Sequence, residues 1–119
     1  MTTEEYKALN SPHSQSKRIH ALFEQQLQAE KIGYVTEYKF HEKRKWRFDF
    51  ALIFPYTNYV AIELEGGYFV RGGHSRGAAQ IRDNEKFNEA ALLGWKILRF
   101  TPQQITKGEA IRFIKRLFE

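Results

Sequence analysis

The chain has 119 residues, 42% apolar and 15% aromatic, enough for one domain with a proper core and too apolar for a disordered segment. It has no cysteine, which excludes disulfides and thiolate zinc sites and fits a reducing compartment. The formal net charge of +5 points to a polyanionic partner. No apolar run approaches membrane-spanning length, so no membrane partner is expected. The polar, acidic start Met1-Thr2-Thr3-Glu4-Glu5-Tyr6 lacks the basic and apolar regions of a secretory signal, and a cytoplasmic protein is expected.

Residues 1–13 read as a flexible N-terminal arm and 14–119 as one domain. Ser11-Pro12, or Ser14, offers a helix start, with Pro at the first helical position. Ile19, Leu22, Phe23 and Leu27 then recur at helical spacing, and Gly33 is the expected stop. His20 and Glu24 lie four apart at the edge of that stripe, either as a surface pair or within reach of a metal or its water. Tyr34 to Phe40 reads as a strand, with Val35 and Glu37 alternating against Tyr34, Thr36 and Tyr38. Lys45–Phe54 and Tyr59–Gly66 are two further apolar runs, and the turn-type segment Pro55-Tyr56-Thr57-Asn58 between them makes an antiparallel hairpin.

Gly77 to Leu93 reads as a second helix, with Phe87, Ala90, Ala91 and Leu93 as its apolar stripe and Gly94 as its cap. Trp95–Phe100 is a compact strand after a crossover helix, so it can lie parallel to a hairpin strand. Thr101, Pro102 and Gln104 form a helix-start signature; Thr106 and Glu109 form another, opening a final helix with Ile111, Ile114, Leu117 and Phe118 inward. The expected class is α/β: a single small domain in the order αβββαβα, with a mixed central sheet flanked by helices.

Alternation within the hairpin is the most informative feature. Trp46, Phe48, Phe50 and Leu52 point to one side of the first run, Arg47, Asp49 and Ala51 to the other. Ile62 and Leu64 oppose Ala61, Glu63 and Glu65 in the second. A core forms only if the apolar sets share a face, because a one-residue slip would expose one of them. That register brings Asp49 to the side of Glu63 and Glu65, which are themselves about 7 Å apart. Three like charges so close call for a positive partner, and a hard divalent cation suits oxygen donors. A solvated outer face carrying ordinary carboxylates is the competing reading. The acids are followed by a glycine-rich, basic segment from Gly66 to Gly77 containing Tyr68, Phe69, Arg71, His74 and Arg76; Lys43, Arg44, Lys45 and Arg47 precede Asp49, and Arg82 follows the segment.

Taken in order, these residues resemble the PD-(D/E)XK nuclease superfamily, and within it the branch of very-short-patch-repair-type endonucleases of bacteria and phage. That branch carries an Asp-Phe strand, an Ile-Glu-Leu-acid-Gly strand, a nearby His, a helix with acid and base three apart, and a Gly-Trp-x-x-Leu-Arg-Phe strand. The chain has Asp49-Phe50, Ile62 to Gly66, His74, Asp83 with Lys86, and Gly94 to Phe100, so the likeness spans about residues 14 to 105. It departs at position 65, where Glu stands in place of the motif Lys; Lys86, one turn beyond Asp83, is the natural substitute.

The resemblance implies a restriction-endonuclease-like fold and a magnesium-dependent endodeoxyribonuclease of DNA repair, recombination or phage DNA processing, with manganese able to substitute. Asp49 and Glu63 would be direct metal ligands, with the Leu64 carbonyl as a third. Glu65 would bind a second metal or orient water. Lys86 would position the water or stabilise developing charge, and His74 would bind metal or phosphate or act as a general acid, unless it has no role. A Glu of the N-terminal helix also belongs to the family pattern, and Glu24 is the candidate. Arg44, Lys45, Arg71 and Arg76 would contact phosphates, and Tyr68 and Phe69 would stack on a base or pack in the core. The expected partner is DNA, with RNA open, and the chain acts as a monomer or a homodimer. A catalytically inactive nucleic-acid-binding module on the same fold is the alternative, and a plain interaction domain is a further one.

Overall fold

Helix α1 (Pro12–Ala29) begins on a proline, whose missing N–H costs nothing at a helix start. In this computed structural model the described residues are 12–55, 58–65 and 73–119, with backbone alone at 12–13, 54, 73–76 and 79. The stop of α1 is not Gly33. Lys31 takes the left-handed conformation at φ 59°. Its N–H donates to Gln28 O at 3.0 Å and the Ile32 N–H donates to Leu27 O at 3.0 Å, the paired bonds of a Schellman ending. Ile32 and Leu27 are both buried, which supplies the apolar contact that fixes this turn. Gly33 instead opens strand β1 (Gly33–Lys39), where the pairing shifts by one residue.

Strands β2 (Arg47–Phe54) and β3 (Val60–Leu64) form the expected antiparallel hairpin, with Phe50 opposite Ile62 and Leu52 opposite Val60. Helix α2 (Gly73–Leu92) starts four residues earlier than its sequence suggests, so His74 and Arg76 lie in its first turn and not in a loop. It ends as expected at Gly94, φ 90°, with Gly94 N–H on Ala91 O and Trp95 N–H on Ala90 O. Strand β4 (Lys96–Phe100) runs parallel to β3, completing a mixed sheet in the order β1-β2-β3-β4.

Helix α3 (Pro102–Thr106) carries the capping box read from Thr101 and Gln104. The second signature fails. Helix α4 (Glu109–Lys115) has Gly108 at its N-cap without a side-chain cap, and the Thr106 hydroxyl donates back to Gln103 O at 3.1 Å. The C-terminal segment is thus two short helices and a 3-10 turn at Arg116–Phe118, in place of one expected final helix.

The helices divide unevenly over the sheet. Phe23 and Leu27 of α1, Ile105 of α3 and Ile114 of α4 pack on Phe50, Leu52, Val60 and Ile62. On the other side Ala90 of α2 meets Ala61 and Phe48, with Trp95 and Ile97 at the edge. Phe48 therefore leaves the side shared by Phe50 and Leu52, against strict alternation. The departure coincides with Glu37, which stands opposite Asp49 in the β1–β2 register and holds φ 50°, breaking the pleat between the pairs Thr36–Phe50 and Tyr38–Phe48. The stripe of α2 is also thinner than expected: Ala90 is buried, but Ala91 and Leu93 are exposed. Among the described residues no helix is long and apolar enough to cross a membrane.

Candidate functional site

One step beyond the Phe50–Ile62 pair, the hairpin register brings Asp49 across from Glu63. The Asp49 carboxylate does more than face its neighbour. Its Oδ2 accepts the Leu64 N–H at 2.7 Å, so a side chain continues the ladder at the end of the β2–β3 pairing. Its Oδ1 lies 4.0 Å from Nε2 of His20, which α1 supplies. The His20 ring rests 5.5 Å from that of Phe50, so the core residue next to Asp49 also orients the imidazole. His20 and Glu24 thus do not pair with each other. His20 turns to Asp49, and Glu24 accepts the Tyr34 hydroxyl at 2.9 Å. Tyr34 in turn accepts Gln28 Nε2 at 2.8 Å. Burial first, then the bond to Glu24, raises the Tyr34 phenol above its ordinary value.

Glu63 is the most perturbed acid. Its side chain is 12% exposed against 23% for Asp49. Burial, then the adjacent Asp49 charge, pushes its carboxyl up to about 8, against the opposing hydrogen bond and charge of Lys86. Lys86 reaches Glu63 Oε1 from α2, where its ammonium lies 5.7 Å from the Phe48 ring centre and 5.4 Å from that of Phe87. The helix residue Lys86 thus lies against the buried acid, while position 65 carries Glu.

Glu65 departs from the expected trio. It lies just past β3, where its N–H donates to Phe100 O at 2.7 Å, and its carboxylate pairs with Nε of Arg99. Arg99 stands opposite Glu63 in the β3–β4 ladder and stacks 4.5 Å over Phe87. Asp49 and Glu63 are thus the oxygen donors that could share a hard cation, and Glu65 is engaged elsewhere. Among the described residues no group of three or more His, Asp or Glu is arranged to hold an ion.

The remaining candidates spread out. Asp83 is exposed on α2, three residues before Lys86, and Lys45 is exposed on the β1–β2 turn. Arg44 lies 3.9 Å over the Trp46 ring and 3.4 Å from Glu85. That turn is pinned by His41, whose Nδ1 accepts the Lys43 N–H at 3.1 Å and the Arg44 N–H at 3.0 Å. The side chains of His74 and Arg76, and all of Arg71, Tyr68 and Phe69, lie outside the described residues.

Sequence reasoning missed Arg99 as the partner of Glu65 and gave His20 no tie to Asp49. A parallel pairing of β3 with β4 was foreseeable, but its register was not, and only the register sets Arg99 beside the acids. Comparison with protein-family models, curated proteins and solved structures finds no match to this chain.

Proposed function

We propose that the chain is a divalent-metal-dependent endodeoxyribonuclease with a restriction-endonuclease-like fold, of the PD-(D/E)XK type its motifs resemble. One juxtaposition carries the reading: Asp49 and Glu63 meet across two antiparallel strands, and Lys86 reaches Glu63 from the helix that follows. Magnesium suits the pair, with manganese able to replace it, because the donors are oxygens. The fit is chemical: burial first, then the adjacent Asp49 charge, raises Glu63, and a cation at the pair would offset both.

When bound, such a metal supplies water activation, a clamp on the phosphoryl oxygens and charge relief at the leaving oxygen. The chain supplies the rest. Asp49 and Glu63 would hold the ion, with the Leu64 carbonyl as the third ligand the resemblance implies, and the Leu64 N–H fixes the Asp49 rotamer. Lys86 takes the part of the lysine absent at position 65: its ammonium, desolvated against Phe48 and Phe87, stabilises negative charge that develops on the phosphate. Glu65 keeps Arg99 in place beside Glu63 and is not a ligand. Arg44, Lys45, Arg71 and Arg76 contribute sequence-independent phosphate contacts, and His74 keeps the metal or phosphate role that the resemblance gives it.

The test is nicking of supercoiled plasmid in magnesium, in manganese and in a chelator. Activity with metal, lost in Asp49→Asn and Glu63→Gln proteins that retain the wild-type circular dichroism, is the expected result. Failure of the wild type to cut any form of DNA or RNA with either metal refutes the reading. One observation favours a non-cutting module on the same fold: Lys86 and Arg99 already engage two of the three acids. That reading requires DNA binding of equal strength with and without metal, and no cleavage.

A further inference from the structure

On the face that α2 covers only in part, Tyr38, Ala51, Leu52, Ile53, Tyr59 and Trp95 line an open cleft of about 290 Å³. Three of the six are aromatic. The Trp95 ring stands 5.5 Å from Tyr38 at 52°, 5.1 Å from Tyr59 at 64° and 4.9 Å from Phe48 at 61°, so none of the three stacks flat on it. Tyr59 is 59% exposed and Ile53 50%, a large apolar area to leave in water. Tyr59 also holds φ 55°, a backbone region that bulky residues rarely enter. Its carbonyl accepts the Lys96 N–H at 2.8 Å, which fixes it there. An exposed ring kept on a strained backbone, where Asn or Gly would sit more easily, points to use of the ring.

Charge decides between occupants. A second copy brings +5 against +5, whereas a nucleic-acid strand brings the opposite sign. Ala51 lies two residues along β2 from Asp49, and Tyr59 four residues from Glu63, hence on the order of 7 and 14 Å from the acid pair. At about 3.4 Å per stacked nucleotide this is two to four nucleotides.

We propose that this cleft stacks an unpaired nucleobase of the bound strand, two to four nucleotides from the phosphate at Asp49 and Glu63. The inference rests on the nucleic-acid reading above. Tyr59 and Trp95 supply the stacking faces. The consequence is a preference for strands with unpaired bases over intact duplex.

The experiment measures binding of labelled single-stranded DNA, an abasic strand of the same length and the matching duplex, all in chelator so that nothing is cut. Tyr59→Asn removes the ring yet tolerates the left-handed backbone, and Tyr59→Trp keeps a ring. The wild type binds the base-bearing strand in preference to the abasic one and the duplex. Tyr59→Asn weakens single-strand binding about tenfold without changing duplex binding, and Tyr59→Trp retains it. In Trp46→Phe protein, where Trp95 is the remaining tryptophan, the base-bearing strand quenches fluorescence and the abasic strand does not. Equal binding of both strands by wild type and Tyr59→Asn overturns the inference, as does a wild-type dimer in sedimentation that Tyr59→Asn dissociates. Metal-dependent cutting without base dependence sinks the cleft and leaves the nuclease; base-dependent binding without cutting does the reverse.

Discussion

Exchanging Glu63 for glutamine removes one ionisation while keeping shape and an acceptor for Lys86. The folded chain holds the Glu63 proton up to about pH 8, whereas the ordinary value is 4.5. Between those limits the folded state binds more protons than the unfolded state, so stability falls as pH rises. The contribution is fully present below about pH 4.5 and lost through about pH 8. At about 1.4 kcal/mol per pH unit, that interval corresponds to at most about 5 kcal/mol. Urea denaturation in chelator from about pH 5 to about pH 9 measures it. The wild type should lose stability relative to Glu63→Gln by several kcal/mol, on the order of that ceiling. Magnesium at a hundredfold excess over its dissociation constant should return about 2.7 kcal/mol to the wild type at the alkaline end. The variant should gain much less. Parallel stability curves for the two proteins would refute the reasoning, because burial and Asp49 could not then be raising Glu63.

Asp49→Asn should abolish cutting at a stability cost below about 1 kcal/mol, since an amide oxygen can still accept the Leu64 N–H; Asp49→Ala strands that N–H and should cost about 1–3 kcal/mol in thermal denaturation. Lys86→Ala should slow cutting about 10²–10³-fold with DNA affinity little changed, while Lys86→Arg, which keeps a cation beside Glu63, should recover part of the rate in single-turnover assays. Lys31→Gly should raise the urea midpoint by the equivalent of about 1 kcal/mol, because glycine enters the left-handed cap without the Cβ penalty.

What could be read from the sequence was local or fixed by parity. The hairpin and the placing of Asp49 on the side of Glu63 follow from the need to put Phe50, Leu52, Val60 and Ile62 on one side, since a one-residue slip would expose one of the two sets. Gly94 and the Thr101–Gln104 box are contacts within a few residues, so their chemistry is legible where it stands. Lys31 was not legible, because a lysine at φ 59° is stabilised by two backbone bonds and the Ile32–Leu27 contact, not by its own preference. Nor was Phe48, whose turn to the α2 side coincides with the positive φ of Glu37 in another strand. His20 meets Asp49 only because α1 is rotated to bury Phe23 and Leu27, and Arg99 meets Glu65 only through the β3–β4 register. Each of these contacts joins elements far apart in the chain, and hydropathy does not encode the angle or offset between them.

The three acids meet three bases, each from a different element: His20 of α1 near Asp49, Lys86 of α2 on Glu63, and Arg99 of β4 on Glu65. The balance is nonetheless uneven. Arg99 settles Glu65 outside the pair at a half-exposed place, where solvent leaves an ion pair worth little. Lys86 must serve a buried Glu63 that also touches Asp49, and its charge does not offset the desolvation. The residual cost is therefore concentrated at Glu63, from its burial first and from the Asp49 charge second. A proton relieves it, and so would a divalent cation, and the two compete for the same oxygens. Raising the pH should then strengthen metal affinity as it weakens the metal-free fold, so the two pH dependences must run in opposite directions through the same value near 8. A surface patch of ordinary ion pairs would produce neither trend, which is why the acid pair, and not the count of charges around it, separates an ion-binding centre from a solvated face.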